Sequence, residues 1–250
     1  MTSAPPRYAE LHCTSNFSFL QGASHPEELV ARAAALGYEA LAITDQATLT
    51  GIVRAHAAAN ELGIKLVVGA RLEPVDAPPL VVWAATAAGY ANLCQLLTRG
   101  YARAAEADAP RQAGDRQTPP FPTDGGEDDP PGRAGRCLLT SDDIACHAHG
   151  LLAGLPLASA GPGCHGDVFD DDRLRDTYEH LAHWRWIFDD RLWALAEVAR
   201  EGDDAERLEW FGRVARLAGV PIAAAGDVRY HERSRLPLFD VLTAVRHGST

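Results

Sequence analysis

Long hydrophobic runs are missing from this 250-residue chain. None approaches the roughly 18 to 20 apolar residues that a membrane-crossing helix needs, which argues against a helical membrane protein. Paired cysteines are missing too. The five present, Cys13, Cys94, Cys137, Cys146 and Cys164, form no CxxC, and no secretory leader precedes Tyr8, so a reduced, cytoplasmic setting is expected. Lysine is scarce and the net charge is −11. Non-specific nucleic-acid affinity comes chiefly from clustered Lys and Arg, so no direct DNA grip is expected from this acidic segment, and no membrane contact either. A Gly-rich phosphate loop and a Ser-His-Asp arrangement are also absent. The single methionine, beside abundant Ala, Arg, Asp and Gly, suggests a GC-rich genome and carries no mechanism.

What is present is the composition of an ordinary globular protein, with 46% hydrophobic and 23% charged residues, at a length that suits one α/β barrel. Residues 1–7 read as a flexible lead-in. A strand over Tyr8–His12 leads through small polar residues to Gly22. Ser24 is placed to cap a helix over Pro26–Leu36, with Glu27 as the reciprocal carboxylate and Leu29, Val30, Ala33 and Leu36 on one face; Gly37 supplies its left-handed stop. A buried strand, Ala40–Thr44, ends at Asp45. The spacing then predicts a helix over Thr50–Leu62, a strand over Lys65–Leu72, a strand over Leu80–Ala84 and a helix over Ala87–Ala102 striped by Tyr90, Leu93, Cys94 and Leu97. Strand-helix-strand order is the mark of right-handed βαβ units.

Residues 103–136 change character. Pro110, Pro119, Pro120, Pro122, Pro130 and Pro131 sit among Asp, Glu and Gly with little to bury, and a disordered insertion is expected there. Beyond it the pattern predicts a short helix capped by Ser141 or Asp142 and reaching Ala148, then a strand over Gly150–Leu155 and a helix over Asp172–Phe188. Leu192–Val198 reads as a strand, Ala205–Leu217 as a helix, Val220–Ala225 as a strand and Leu238–Arg246 as a helix with an apolar face. The segments are 8–102 and 137–235 as two barrel halves, with 236–250 beginning a connection onward.

His12, on the last residue of a strand, is where an α/β barrel places chemistry. The surrounding residues carry a resemblance. Asn16-Phe17-Ser18-Phe19-Leu20-Gln21-Gly22, Ser24-His25-Pro26-Glu27-Glu28-Leu29, Ala34-Ala35-Leu36-Gly37-Tyr38, Ala40-Leu41-Ala42-Ile43-Thr44-Asp45 and Gly63-Ile64-Lys65-Leu66-Val67-Val68-Gly69 resemble the opening of the polymerase and histidinol phosphatase (PHP) domain. They are most similar to the N-terminus of bacterial C-family DNA polymerases of the error-prone, damage-inducible branch. The resemblance runs over residues 8–102, fades, and returns from about Trp193. It implies a distorted (β/α)7 barrel of α/β class, cut short on its C-terminal side by a truncated gene, an incomplete gene reading or deliberate excision.

The resemblance also implies a metal centre that this sequence has largely lost. Such domains hold Zn, Mn or Fe through His and carboxylates at strand ends. The family's HxH reads His12-Cys13-Thr14 here and its Asp-His reads Asp45-Gln46. Gly-x-Glu reads Gly69-Ala70-Arg71, Pro79 stands where a further His is expected, and Asp-x-His reads Asp227-Val228-Arg229. His12, Asp45 and Asp227 are the residual ligands; Thr14, Gln46, Arg71, Pro79 and Arg229 mark positions lost. Arg71 or Arg229, paired with Asp45 or Asp227, would replace metal charge by a salt bridge. Glu73, on the same strand face as Arg71, keeps one substitute ligand open. No catalytic or cofactor-binding residue is expected in the segment, and Zn or Mn only if the centre is still active.

The implied parent is a DNA-directed DNA polymerase of replication and translesion repair, with Mg in a palm beyond residue 250. Its implied partners are the polymerase body in cis, the DNA primer-template, the sliding clamp and translesion accessory proteins. The segment itself reads as a structural scaffold. The alternatives are a PHP-type phosphoesterase or 3′–5′ exonuclease using His12, Asp45 and Asp227, and a free-standing interaction module. Outside this constellation, Cys146, His147, His149, Cys164 and His165 read as a polar helix end and loop, His180 and His183 as an amphipathic surface, and Asp142-Asp143 and Asp170-Asp171-Asp172 as caps or solvated charge. His25, His56, His231 and His247 join no pattern. The chain is expected to be marginally stable, because its last helix leaves an apolar face uncovered.

Overall fold

Strand order along the chain is also strand order in the sheet. The computed structural model describes residues 7–109, 136–156, 171–198 and 204–248. Within them run β1 (Ala9–Glu10), α1 (Pro26–Ala35), β2 (Ala40–Ile43), α2 (Ile52–Leu62), β3 (Lys65–Leu72), β4 (Leu80–Ala84) and α3 (Ala87–Asp108). There follow α4 (Ser141–His147), β5 (Leu151–Pro156), α5 (Asp171–Phe188), β6 (Leu192–Glu197), α6 (Asp204–Ala218), β7 (Ile222–Ala225) and α7 (Leu236–His247). The seven strands pair consecutively, β1 through β7. The seam between the two ends is closed beyond the strands themselves: Val228 N donates to His12 O at 2.9 Å and Thr14 N to Val228 O at 2.8 Å. The result is a distorted seven-stranded α/β barrel.

The distortion is β4, which runs antiparallel to both neighbours. Its cause is connection length. Residues 73–79 are too few for the crossover that a parallel partner requires, so the chain turns straight back from β3. The longer path through α3 and α4 then returns β5 to the direction of β3. The interior is filled by few large groups among many small ones. Trp83 enters from β4 and donates from its indole nitrogen to Leu11 O at 2.9 Å. Gly154 and Gly69 make the space: a Cβ on Gly154 would lie 2.5 Å from the Trp83 ring, and one on Gly69 2.9 Å from it. Outside the wall, Trp184 and Phe188 of α5 and Phe211 of α6 are buried against β5, β6 and α3.

Several local expectations are corrected. Helix α1 is capped by His25, whose backbone N–H donates to Glu28 Oε2 at 2.9 Å; Ser24 instead bonds His231. Helix α4 is capped by Thr140, whose hydroxyl accepts from Asp143 N, because Ser141 is already inside the helix. Helix α3 runs on to Asp108, so residues 103–108 belong to it and not to an insertion; Arg103 is fixed by its ion pair with Asp143. Tyr90 is exposed and leaves the buried stripe to Gly89, Leu93, Leu96, Leu97, Gly100 and Ala104. Arg7 is not loose, since its guanidinium makes a two-pronged contact with Glu39 at 2.7 Å. The remaining expectations for residues 1–6 and 110–135 lie outside the described residues.

Where α3 starts, Gly89 packs against the Gly150 carbonyl, with Thr86 Oγ1 accepting from Gly89 N at 3.0 Å. A side chain at Gly89 would meet backbone, which cannot swing aside. Gly89→Ala is expected to lower stability by about 2–3 kcal/mol. Urea unfolding with an unchanged midpoint would show that α3 can slide away from Gly150. At the other end of the chain, α7 has no buried residue, and Leu238, Val241 and Val245 are exposed.

Candidate functional site at the barrel mouth

The end of β6 and the residues that follow β1, β2 and β7 meet at one end of the barrel. His12 is fully buried there, two residues past β1. Its Nδ1 donates to Glu197 Oε1 of β6 at 2.6 Å and lies 3.6 Å from Asp227 Oδ1. Asp227 follows Gly226 in a left-handed turn, φ +45°. Its Oδ2 accepts from the Arg229 guanidinium at 2.8 Å. Burial alone would raise the pKa of Asp227, but the charges of His12 and Arg229 outweigh it and hold the carboxyl below its ordinary value.

Asp45 is built into a different arrangement. It is 1% exposed. Its Oδ1 accepts from Ser15 N and from Ser18 Oγ, and its Oδ2 from Ser15 Oγ, each at 2.7 Å. Burial raises its pKa, and these bonds pull it back only in part. The carboxylate thus serves as the hub of the loop 15–22, in which Leu20 also takes a left-handed φ of +60°. Gly22 is required because a Cβ there would run into the Ser15 carbonyl.

Glu10 is the seam's second stitch. Its Oε1 accepts from His12 N at 3.0 Å and Gly226 N at 2.9 Å, while Tyr8 donates to Oε2 at 3.0 Å. Arg71 does not reach a carboxylate across the mouth; its Nε donates to Glu73 Oε1 at 3.2 Å. Gln46 donates to Glu73 Oε2 at 2.7 Å and accepts from Gln21, so amides and one carboxylate link the loop after β1 to the ends of β2 and β3. Thr14 is buried at the seam. Because Leu80 stands opposite Leu72 in the antiparallel register, Pro79 also lies at the mouth end.

Of the three residual ligands, the structure joins His12 to Asp227 and directs Asp45 into its own loop. Arg229 pairs with Asp227, and Arg71 turns to its near neighbour Glu73. At the mouth, among the described residues, two buried polar atoms have no hydrogen-bond partner, His12 Nε2 and Asp227 Oδ1. Both oxygens of Asp45 are engaged, Gln46 is an amide, and a guanidinium stands on Asp227. Among the described residues no group of three or more His, Cys, Asp or Glu is arranged to hold a metal ion. This donor set does not fit a two- or three-metal centre, since each metal takes about four to six donors.

Glu197, Glu10, Ser15 and Ser18 were not singled out by the sequence. Glu197 carried one available signal, its place at the end of a strand. The other clusters resolve as follows. Asp143 is a cap and ion-pair partner of Arg99 and Arg103, and His147 Nδ1 donates to Asp143 O at 2.7 Å. Cys146 is exposed, and Cys164, His165 and Asp170 lie outside the described residues. His180 and His183 are half-buried on α5 beside Asp76 and Glu179, in an open surface depression. His25 and His231 are drawn into the α1 entry, where His231 bonds Ser24 at 2.8 Å.

Residues 10–118 of this chain match the PHP domain family model. The chain is 40% identical over 255 residues to an error-prone DNA polymerase of Rhodopirellula baltica, covering 98% of this chain and 19% of that protein. It is 42% identical over 255 residues to an error-prone DNA polymerase of Ralstonia nicotianae, covering 96% and 20%. The chain therefore spans about a fifth of the length of these curated relatives. Among solved structures it is similar to a protein from Bifidobacterium adolescentis assigned as a metal-dependent phosphoesterase, with TM-score 0.55 and 16% identity over 96% of this chain and 98% of that one. An amidohydrolase from Chromobacterium violaceum, solved with sulfate and no metal, gives TM-score 0.53 and 19% identity over 89% and 87%. At these identities the likeness is one of fold.

Proposed function

We propose that this chain is the PHP segment of an error-prone DNA polymerase and acts there as a metal-poor structural scaffold. The observation that carries the scaffold reading is the Arg229–Asp227 ion pair at 2.8 Å, beside an Asp45 whose oxygens are spent on Ser15 and Ser18. A mouth whose carboxylates are bonded to its own side chains and backbone braces the strand ends. The parent activity in this reading is template-directed nucleotide addition in translesion repair, in the cytoplasm, with Mg held in a palm elsewhere in the longer protein. The polymerase body in cis would be the direct partner, and primer-template DNA, sliding clamp and accessory proteins would be reached through it. Its support is the identity of about 40% to proteins of that name over nearly the whole chain.

One observation favours a second reading, a PHP-type phosphoesterase or 3′–5′ exonuclease: His12 Nε2 is buried and unpartnered, as a ligand atom would be before its metal binds. Metal analysis separates the two. Protein purified and then equilibrated with Zn or Mn is expected to retain well under one ion per chain. It is also expected to leave a phosphodiester substrate uncleaved. A stoichiometric ion that disappears in His12→Ala would overturn the scaffold reading.

A further inference from the structure

We infer that the Arg229 guanidinium is the resident cation of the barrel mouth, standing on Asp227 beside the seam between β7 and β1 where a divalent ion would otherwise be needed. This rests on the scaffold reading and deepens it, by naming the group that supplies the charge. Three carboxylates and one imidazole come together at the seam: Glu10, Glu197, Asp227 and His12. Glu10 is occupied by backbone N–H groups and Tyr8. Glu197 and Asp227 face the same His12 nitrogen, at 2.6 and 3.6 Å. Two carboxylates share one imidazole nitrogen, and Arg229 is the fixed positive charge, among the described residues, within hydrogen-bond reach of Asp227.

The guanidinium is placed by the barrel's own closure. Val228 is bonded on both sides, to His12 O and from Thr14 N, and the Arg229 carbonyl accepts from Ala23 N at 2.8 Å. The side chain is only 18% exposed, so its charge is little screened by water. Arg71, the other guanidinium at the mouth, is bonded to Glu73 and acts on Asp227 only from a distance, by its charge. Asp227 itself is held in a left-handed turn that an aspartate adopts only with support. Removing the guanidinium would leave Asp227 with two open oxygens beside Glu197, an oxygen-rich site that a hard cation satisfies.

The test is a thermal-melting comparison of the full 250-residue chain with Arg229→Met, Arg229→Lys, Asp227→Asn and the two double variants, each with and without millimolar MnCl2 at matched ionic strength. Arg229→Met is expected to melt about 5 °C lower or more. Adding Asp227→Asn should return part of that loss, since the uncompensated charge is then gone. Manganese should raise the midpoint of Arg229→Met and leave the wild type unmoved. Arg229→Lys keeps the charge without the planar fork and should fall between. If Arg229→Met does not fold, the coupling with Asp227→Asn is read in the lysine background, where a loss independent of residue 227 sinks the inference.

A wild-type melt from Arg229→Met, or a loss that neither Asp227→Asn nor manganese reduces, would equally overturn it. Stoichiometric metal in the wild type would instead sink the scaffold reading. The two failures are therefore distinguishable.

Discussion

His12→Ala is expected to cost about 3 kcal/mol of folding stability, because it removes the hydrogen-bond donor of a buried carboxylate. In a chain of this size that corresponds to a fall of roughly 10 °C in thermal midpoint. The imidazole is 0% exposed and its partner Glu197 only 8%, so the alanine would leave the Glu197 carboxylate buried and without its donor from His12. A cavity in the seam adds to the loss. The effect should be coupled: in a Glu197→Gln background the same substitution is expected to cost about half as much, because no ionised group is stranded.

Asp227 gives the pH signature. Its pKa is depressed, against the pull of burial, by His12 and Arg229, so its stabilisation is present above the ordinary aspartate range and is lost as pH falls through the folded value. The gap between wild type and His12→Ala should therefore narrow on acidification. A loss under about 1 kcal/mol, insensitive to residue 197, would mean that His12 is a spectator at the seam.

Asp45→Ala is expected to cost about 3 kcal/mol and to loosen the loop 15–22 selectively. Three donors, Ser15 N, Ser15 Oγ and Ser18 Oγ, lose their common acceptor in a place that water does not reach. Ser18 Oγ also accepts from Gln46 N at 2.9 Å, so the disturbance passes to the end of β2. Amide hydrogen exchange should accelerate across residues 15–22 well before the barrel opens. Phe19, 83% exposed at the tip of this loop, offers a second readout through limited proteolysis. Asp45→Asn should be milder, since the serine hydroxyls can rotate to accept from the new amide. Equal exchange rates in the loop before and after Asp45→Ala would contradict its role as hub.

Much of the candidate site was legible because its residues sit at strand ends, and strand ends are marked locally. His12, Asp45 and Asp227 each follow a short apolar run, and Arg71 closes another. Glu197 was passed over although it ends β6, because nothing near it in the chain hints that it meets His12, 185 residues away. Ser15 and Ser18 looked like ordinary loop residues. Their importance comes from a carboxylate 27 to 30 residues further on, which pairing of β1 with β2 brings alongside.

The elements themselves were set by the chain alone. Lys65–Leu72 and Leu80–Ala84 are runs of branched and apolar residues with clear punctuation, while Gly63 and Gly37 stop helices by adopting positive φ, a property of the residue and its neighbours. Tertiary structure decided the direction of β4, the closing of the seam through Val228, and the choice of partner for each guanidinium. Arg71 and Arg229 are chemically alike, and either suited Asp227. Their different partners follow from where the backbone sets them down: Arg71 near Glu73 just past the end of its own strand, Arg229 two residues past a carboxylate that the barrel had already turned inward. Charge pairing of this kind falls off within a few ångströms, so only the closed barrel could choose between them.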